Sequence, residues 1–421
     1  MRKAYPEYKD SGIEWIGKIP IYWIIKRGKF LFNNKKEINS NFQCKNLLSL
    51  TLNGVLNKDM LSNEGLRPMD YKTYQIFYPD NLVFKLIDLE NIKTSRIGYV
   101  PQKGIMSPVY IRLEKKDNIC SKYYYYQYFD LYKKNIFNFL GEGVRSALSA
   151  SDLLEIPQIC PPLLEQKQIV SFLDHKTNLI DKLIKKTKQK IELLKEYRTS
   201  LINHCVTKGL NPNVEMKDSG IEWIGKIPIG WEVKKLKYFS QLIAEKKETE
   251  EKDIKISPEN MESYTGKCFN FYSEYTGIGV PFQPGDILFN KLRLYLVKIL
   301  LATCHGYSMG EMLVIRINKP NLNKFYFYLF FNQGLINFLD SQSTGIKMPR
   351  VSPEIIMGSY LPFPLVCEQQ KIVDLFDSQT QMIDILIEKE NKRIELLKEY
   401  HQSLISEAVT GKIDVRDEVA V

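Results

Sequence analysis

Two long stretches of the chain share one pattern of apolar and polar positions. In residues 165–206, apolar side chains recur at spacings of three, four or seven, which is typical of a helix with one buried stripe. These positions are Ile169, Leu173, Ile180, Leu183, Ile191, Leu194, Leu201 and Cys205. A shift of 203 positions gives the matching set Ile372, Phe376, Ile383, Leu386, Ile394, Leu397, Leu404 and Ala408. The pattern predicts two long amphipathic helices, and each is the obvious partner for the other's apolar stripe.

Identical segments show that these stretches arose by internal duplication. IELLKEY occurs at Ile191–Tyr197 and again at Ile394–Tyr400, and KDSGIEWIGKIPI occurs at Lys9–Ile21 and again at Lys217–Ile229. The two blocks between these segments have nearly equal length but almost unrelated sequences. A repeat of this kind indicates one supersecondary unit used twice. We therefore expect two modules with the same fold and different surfaces.

Each block contains short strand-like runs followed by an aromatic helical stretch. The expected strands are Leu47–Leu52, Leu82–Ile87 and Val109–Leu113 in the first block, and Ile287–Asn290 and Met312–Ile317 in the second. The expected helices are Lys122–Leu140 and Asn323–Leu339. The aromatic run Tyr123–Tyr126 is expected to pack inside its helix layer rather than to stack on bases.

The predicted fold class is α+β, with two globular mixed α/β modules separated by two long antiparallel coiled-coil helices and related by an internal pseudo-twofold repeat. The chain then divides into an N-terminal repeated segment, a first module, a first helix with its linker, a second module that includes the second copy of the repeated segment, and a second helix. These segments are residues 1–21, 22–160, 161–216, 217–362 and 363–421.

Composition narrows the class of protein. The 421 residues are 44% apolar and carry a formal net charge of +10, which permits sizeable cores and favours an anionic partner such as nucleic acid. The seven cysteines form no CxxC pair and there are only four histidines, so neither a disulfide framework nor a zinc site is indicated. With no membrane-length apolar run and no signal-peptide core, a cytoplasmic location is expected.

The repeated DSGIEWIGKIP segment, the EQ start of each long helix, the IELLKEY repeat and the two dissimilar modules together resemble the specificity subunit of a type I restriction-modification system. The resemblance implies a DNA-binding subunit with two target recognition domains, each of which reads one half of a split, asymmetric duplex site. It also implies two modification subunits that bind S-adenosylmethionine and methylate adenine. Restriction subunits would hydrolyse ATP, with Mg²⁺, and cleave DNA. By the same resemblance, this chain binds no cofactor and is not an enzyme.

The residues alone also predict that this chain is not an enzyme. The sequence has no DPPY-like or NPPF-like methyltransferase motif, no Walker A loop and no HExxH helix. A nuclease site read from Asp80 with Glu114–Lys116 rests on a common ExK triplet. Another alternative is a coiled-coil scaffold or interaction protein whose modules bind proteins. Salt-sensitive binding to a defined duplex would distinguish DNA recognition from this alternative.

The candidate DNA-contacting residues are mostly basic side chains in loops of the two modules. Basic side chains position a protein on phosphates, and only contacts to base edges or to DNA shape carry specificity. The loops Gly143–Ser146 and Gly345–Lys347 are expected to be exposed and basic. The candidates in the first module are Arg67, Arg96, Gln102, Lys103, Arg145 and Ser146, and those in the second are Lys291, Arg293, Tyr295, Lys347 and Arg350.

Overall fold

The computed structural model describes residues 3–59, 70–89, 95–116, 118–141, 147–271 and 277–418. The chain forms two compact units, the first made of Met1–Lys186 with Lys392–Val421 and the second of Thr187–Asn391. Each unit therefore combines one module with half of each long helix. The two units group residues by packing, whereas the five predicted segments follow the sequence repeat. The five segment boundaries therefore stay predictions.

The two long helices are Leu163–Lys208 and Val366–Val409, close to the predicted bounds. Most stripe residues are buried, among them Ile169, Leu173, Phe376 and Ala408. The expectation that Leu183 lies on the buried stripe is wrong, because its side chain is 41% exposed. Ile184 packs on the core instead, since the stripe advances by alternating steps of four and three from Ile180.

Contacts between the helix halves of the second unit show that they run antiparallel. Lys190 Nζ lies 2.6 Å from Glu390 Oε1, and eight residues later Arg198 donates to the carbonyl oxygen of Thr380 at 3.3 Å. Arg198 also pairs with Asp384. Within the second unit, the position number therefore rises along the first helix as it falls along the second, which agrees with the predicted antiparallel pairing.

The first unit has a central four-stranded antiparallel sheet in the order Phe32–Asn33, Ile111–Lys115, Leu82–Phe84, Ile97–Tyr99. The helix Ser121–Lys133 packs on this sheet, and its Tyr123 and Tyr124 are fully buried, which confirms the expectation of packing. Its other strands are Tyr8–Asp10, Lys18–Pro20, Ile24–Arg27, Leu48–Thr51, Gly54–Asn57, Gln75–Phe77, Gly104–Met106 and Pro157–Cys160, and its short helices are Ile136–Leu140 and Ala150–Glu155.

The second unit repeats this topology. Its central antiparallel sheet has the equivalent strand order, Ser240–Ile243, Met312–Ile317, Ile287–Asn290, Ile299–Leu301, so the described central sheets of the two modules agree despite unrelated sequences. Its other strands are Met216–Asp218, Lys226–Pro228, Glu232–Lys235, Lys247–Glu248, Lys255–Ile256, Ile278–Phe282, Gly306–Ser308 and Tyr360–Phe363, and its helices are Asn323–Leu329, Gln333–Ser341 and Pro353–Gly358.

The aromatic helical stretches are interrupted where single helices were expected. In the first unit Asn135 adopts φ 58°, a left-handed conformation that ends the helix after Lys133 and precedes a second one. In the second unit Asn332 starts the second helix by accepting a hydrogen bond from the Leu335 amide at 3.1 Å. Asparagine supplies both interruptions, because its short side chain tolerates left-handed backbone and caps helices.

The two ends of the described chain meet within the first unit. The Asp414 amide donates to the carbonyl oxygen of Lys3 at 2.8 Å, and the Tyr8 hydroxyl donates to that of Gly411 at 3.1 Å. The repeated segment near the N-terminus thus follows the second long helix in space, as its copy follows the first helix in sequence. Among the described helices, none is long and apolar enough to cross a membrane.

Candidate nucleic-acid interface

The five candidates of the second module lie on two loops that backbone hydrogen bonds join. The Arg293 amide donates to the carbonyl oxygen of Pro349 at 2.8 Å, and the Val351 amide donates to that of Lys291 at 3.1 Å. Arg293 adopts φ 50°, which turns the loop sharply after Leu292. The structure therefore brings together all five candidates of this module, which we call the second-module surface: Lys291, Arg293, Tyr295, Lys347 and Arg350.

The side chains of the second-module surface are basic and largely exposed. Arg293 donates through Nη2 to the carbonyl oxygen of Lys347 at 3.4 Å, and Tyr295 is 49% exposed. Glu311 is the acidic neighbour, with Lys291 Nζ at 2.9 Å and Arg350 Nη1 at 3.3 Å from its carboxylate. Two cationic side chains pair with this carboxylate, and Arg293 and Lys347 add two more cations on the same two loops, so the surface attracts polyanions.

Two guanidinium groups, those of Arg293 and Arg350, lie on this surface. A guanidinium presents paired N–H donors that match the O6 and N7 acceptors of guanine in the major groove. The Glu311 carboxylate holds Arg350 with one contact, at Nη1, which leaves further donors on that side chain facing solvent. Lys347 is exposed at the loop tip, where an ammonium can reach phosphate oxygens.

The first module presents a smaller polar surface, formed by Asn46, Asn57, Gln102 and Lys103. The Gln102 side-chain amide donates to that of Asn57 at the end of a strand, and Asn46 Nδ2 donates to the carbonyl oxygen of Lys103 at 2.7 Å. Lys103 Nζ lies 5.1 Å from the ring centroid of Tyr78. Amide side chains of this kind form paired hydrogen bonds with adenine.

Three candidates of the first module, Arg67, Arg145 and Ser146, lie outside the described residues. The structure contradicts the prediction that Arg96 contacts DNA. Arg96 is 1% exposed, and its side chain donates to the carbonyl oxygens of Ile87 at 3.3 Å and Asp88 at 2.6 Å. Burial also lowers the pKa of this guanidinium from its ordinary value. Arg96 therefore holds a chain turn in place, and the expectation that it contacts DNA is wrong for this arrangement.

Sequence reasoning missed four residues of these surfaces: Asn46, Asn57, Glu311 and Ile346. The asparagines look like ordinary turn residues in sequence, and Glu311 has the wrong charge for a DNA surface. Ile346 gave a weak signal, because it follows Gly345 and precedes Lys347 in a loop already selected for its charge. An apolar residue at a basic loop tip is the pattern that would have identified it.

Asp80, the acidic residue of the alternative nuclease reading, is held by a hydrogen bond and an ion pair. Its carboxylate accepts a hydrogen bond from the Tyr99 hydroxyl and one from Lys115 Nζ at 2.9 Å. These donors lower the pKa of Asp80. Among the described residues, no group of three or more His, Cys, Asp and Glu side chains could hold a metal ion.

Comparison with known sequences supports the resemblance drawn from the motifs. Residues 57–193 match the family model of the type I restriction modification DNA specificity domain. The chain is 25% identical over 364 residues to the type I restriction enzyme MjaVIII specificity subunit of Methanocaldococcus jannaschii, covering 82% of this chain and 81% of that one. It is 20% identical to the EcoDI specificity subunit of Escherichia coli, covering 62% and 63%.

Solved structures show the same fold. A chain from a study of complex assembly and conformational transition of the type I R-M system superposes with a TM-score of 0.69 at 12% identity, covering 93% of this chain and 98% of that one. The HsdS subunit of Thermoanaerobacter tengcongensis gives a TM-score of 0.53 at 13% identity, covering 94% and 98%. The mixed α/β fold with long helices is therefore shared with this HsdS subunit and with a chain from the type I R-M system study.

Proposed function

We infer that this chain is the DNA-recognition subunit of a type I restriction-modification system, the family whose specificity-domain model and relatives it matches. It is a sequence-specific DNA-binding component and not a catalytic one. The observation that carries the residue-level proposal is the second-module surface, where two joined loops carry four cationic side chains, two of which pair with the carboxylate of Glu311. We place its activity in the cytoplasm.

The two modules are proposed to act as two target recognition domains. Each would read one half of a split, asymmetric site, the first through Gln102 and Lys103 and the second through the second-module surface. The dissimilar surfaces on a common fold support this division. In the proposed complex, S-adenosylmethionine belongs to the modification subunits, and ATP with Mg²⁺ belongs to the restriction subunits.

The test is to map methylated adenines in a random DNA library exposed to the reconstituted methyltransferase complex. Lys347→Ala combined with Arg350→Ala should relax or weaken one half-site only, and Gln102→Ala combined with Lys103→Ala should affect the other. A lost base contact costs about 1 to 3 kcal/mol at one position, whereas a lost phosphate contact weakens all sequences alike. A change of preference in both half-sites from either double variant would contradict the division into modules.

We propose that two copies of one modification subunit dock on the long helices. Leu193 and Tyr197 are 63% and 52% exposed on the first helix, and Leu396 and Tyr400, at the equivalent positions, are 53% and 44% exposed on the second. Large apolar side chains repeated without change at exposed positions are typical of an interface. Binding of two copies of one partner would explain why these exposed residues are repeated without change.

Mass measurement of the assembled complex tests this stoichiometry. Leu193→Asp with Tyr197→Asp should release one modification subunit, and Leu396→Asp with Tyr400→Asp should release the other. The matched control is Lys195→Asp with Lys398→Asp, which changes exposed positions of the same repeated segments. Complexes that keep two modification subunits with both double variants would refute docking at these residues.

A scaffold protein with protein-binding modules is the competing function. DNA recognition predicts an association constant that falls steeply with salt, with a logarithmic slope of about −0.9 per phosphate contact. Lys347→Ala should reduce that slope by roughly one if Lys347 contacts a phosphate. Binding to DNA that is insensitive to salt and sequence would favour the scaffold.

A further inference from the structure

The tip of the loop in the second-module surface carries a fully exposed isoleucine. Ile346 is 102% exposed, and Met348, two residues later, is 52% exposed. Moving an aliphatic side chain out of water lowers the free energy. A wholly exposed isoleucine at a protruding tip is therefore suited to contact another molecule. Among the residues that the structure describes, no neighbouring side chain shields it from solvent.

Backbone hydrogen bonds fix the base of the loop. Thr344 and Arg350 exchange two of them, with the Thr344 amide 2.9 Å from the Arg350 carbonyl oxygen and the Arg350 amide 3.0 Å from that of Thr344. Gly345 adopts φ +99°, a conformation that favours glycine, and this turn directs the chain outward. Ile346 therefore projects from a short, braced hairpin, and ordering it on binding a ligand requires little further loss of backbone entropy.

The charges around the tip select the class of partner. Lys347 is next in sequence, and Arg293 is tied to the tip by its hydrogen bond to the Lys347 carbonyl oxygen. Arg350 lies at the base of the hairpin, with Lys291 on the adjoining loop. An apolar tip with cationic side chains on its hairpin and on the adjoining loop matches a DNA duplex, which has a stacked apolar interior behind two rows of phosphates.

We propose that Ile346 is an apolar wedge that enters the DNA duplex at a base step of the half-site contacted by the second module. Side chains of this kind partly unstack base steps and bend the duplex, which makes the deformability of that step part of what is recognised. This inference rests on the proposed DNA-recognition function. It adds a residue that discriminates sequence without forming a hydrogen bond.

The first module has a related sequence in its corresponding loop. Gly143, Val144 and Arg145 repeat the order of glycine, β-branched aliphatic residue and basic residue found at Gly345, Ile346 and Lys347. These three residues lie outside the described part of the chain, so the wedge is proposed for Ile346 alone. The common order fits two modules that use the same device on different half-sites.

The experiment uses the full chain assembled with its modification subunits and a duplex that contains the mapped methylation site. 2-Aminopurine replaces each purine of the second half-site in turn, except the methylated adenine, and its fluorescence rises where stacking is lost. Binding is measured in parallel by fluorescence anisotropy. The variants are Ile346→Ala, the conservative Ile346→Leu and Lys347→Ala, and Ile278→Ala is the matched control because Ile278 is 61% exposed on a strand of the same module.

The wedge predicts one base step with enhanced fluorescence in the wild-type complex. Ile346→Ala should abolish that enhancement and weaken binding roughly ten- to fiftyfold, the effect of about three buried methylene groups. Ile346→Leu and Ile278→Ala should keep both signals, and Lys347→Ala should weaken binding while the fluorescence remains. If Ile346→Ala changes nothing while Lys347→Ala weakens binding, the wedge is wrong and DNA recognition by this surface stands. If neither variant affects DNA binding, both the wedge and this surface are wrong.

Discussion

The indole nitrogen of Trp23 donates a hydrogen bond to Oε2 of Glu165 at 3.1 Å, across 142 residues of sequence. The second unit contains the same bond, from Trp231 to Glu368 at 2.7 Å. Both tryptophans are fully buried, and both glutamates lie in the first turn of a long helix. The tryptophan after each repeated segment thus fastens that segment to the start of a long helix, which explains why both residues occur in each copy.

We predict that removing these carboxylates destabilises the two units unequally. Glu165 also accepts hydrogen bonds from the hydroxyls of Tyr5 at 2.5 Å and Tyr22 at 3.1 Å and is 4% exposed. Glu165→Ala leaves buried donors unpaired and should lower the free energy of unfolding by about 3 kcal/mol. Glu368→Ala, at a half-buried position, should lower it by about 1 kcal/mol.

Denaturation with urea, followed by tryptophan fluorescence, checks this prediction. Glu399→Ala is the control, because Glu399 is an exposed glutamate on the second long helix. Its free energy of unfolding should match the wild-type value. Equal losses of unfolding free energy for Glu165→Ala and Glu368→Ala would show that the hydrogen bonds from Tyr5 and Tyr22 to Glu165 add nothing to stability.

The internal repeat made the long helices and their attachment to the modules predictable. Gln166 and Gln369 each accept a hydrogen bond at 2.9 Å from a backbone amide at the start of the aromatic helix, Cys120 in one unit and Leu322 in the other. A residue with an identical structural task in both copies remains identical, so sequence comparison within the chain finds it. The long helices and most of their buried stripes were predictable for the same reason.

The module surfaces were less predictable, because charge alone does not reveal exposure. Arg96 and Arg293 look alike in sequence, yet one is buried against carbonyl groups and the other lies in an exposed loop. The difference depends on tertiary contacts with residues that are distant or irregular in sequence. From Ile180, a step of three along the buried stripe leads to Leu183 and a step of four leads to Ile184. The sequence allows both steps, and only packing decides between them.

We predict that Arg96→Ala reduces stability rather than DNA affinity. The guanidinium satisfies the carbonyl oxygens of Ile87 and Asp88, and its loss leaves these acceptors unpaired next to a cavity. The expected loss is about 2 to 3 kcal/mol of unfolding free energy. At a temperature where the variant is folded, its salt dependence of DNA binding should equal that of the wild type.

Lys103→Ala provides the opposite pattern as a matched control. Lys103 is exposed, so its removal should leave the melting temperature nearly unchanged and weaken DNA binding. Thermal unfolding and anisotropy titrations on the same preparations measure both properties. If the folded Arg96→Ala protein showed a weaker dependence of DNA binding on salt than the wild type, Arg96 would contact DNA after all.

We predict that Glu311→Gln strengthens binding to DNA of any sequence. Glu311 neutralises part of the charge of Lys291 and Arg350, and its replacement frees both cations for phosphates. The affinity for a nonspecific duplex should rise roughly two- to fivefold at low salt and the gain should shrink as salt screens the charges. Glu222→Gln, an exposed change in the repeated segment of the same unit, is the control. Weaker binding by Glu311→Gln would mean that the carboxylate orients Arg350 for base contact.

The last prediction concerns the acid stability of the first unit, where His401 occupies the second-helix position equivalent to Arg198. Burial is the main cause that lowers the pKa of His401 from its ordinary value of 6.5; Lys133 lowers it further and Asp181 opposes both. The folded state therefore binds this proton less readily than the unfolded chain does. Stability from the neutral imidazole is present above pH 6.5 and is lost as the pH falls towards the folded-state pKa.

His401→Gln should remove this contribution, so the decline in melting temperature between pH 7 and pH 5 should be shallower than in the wild type. Carboxylates titrate mainly below this window, which separates the two effects. His204→Gln is the matched control, because His204 is an exposed histidine on the other long helix, and it should keep the wild-type decline. Melting curves at half-unit pH steps measure the slopes. A slope that is unchanged in His401→Gln would mean that the imidazole is solvated well enough to accept its proton in the folded state.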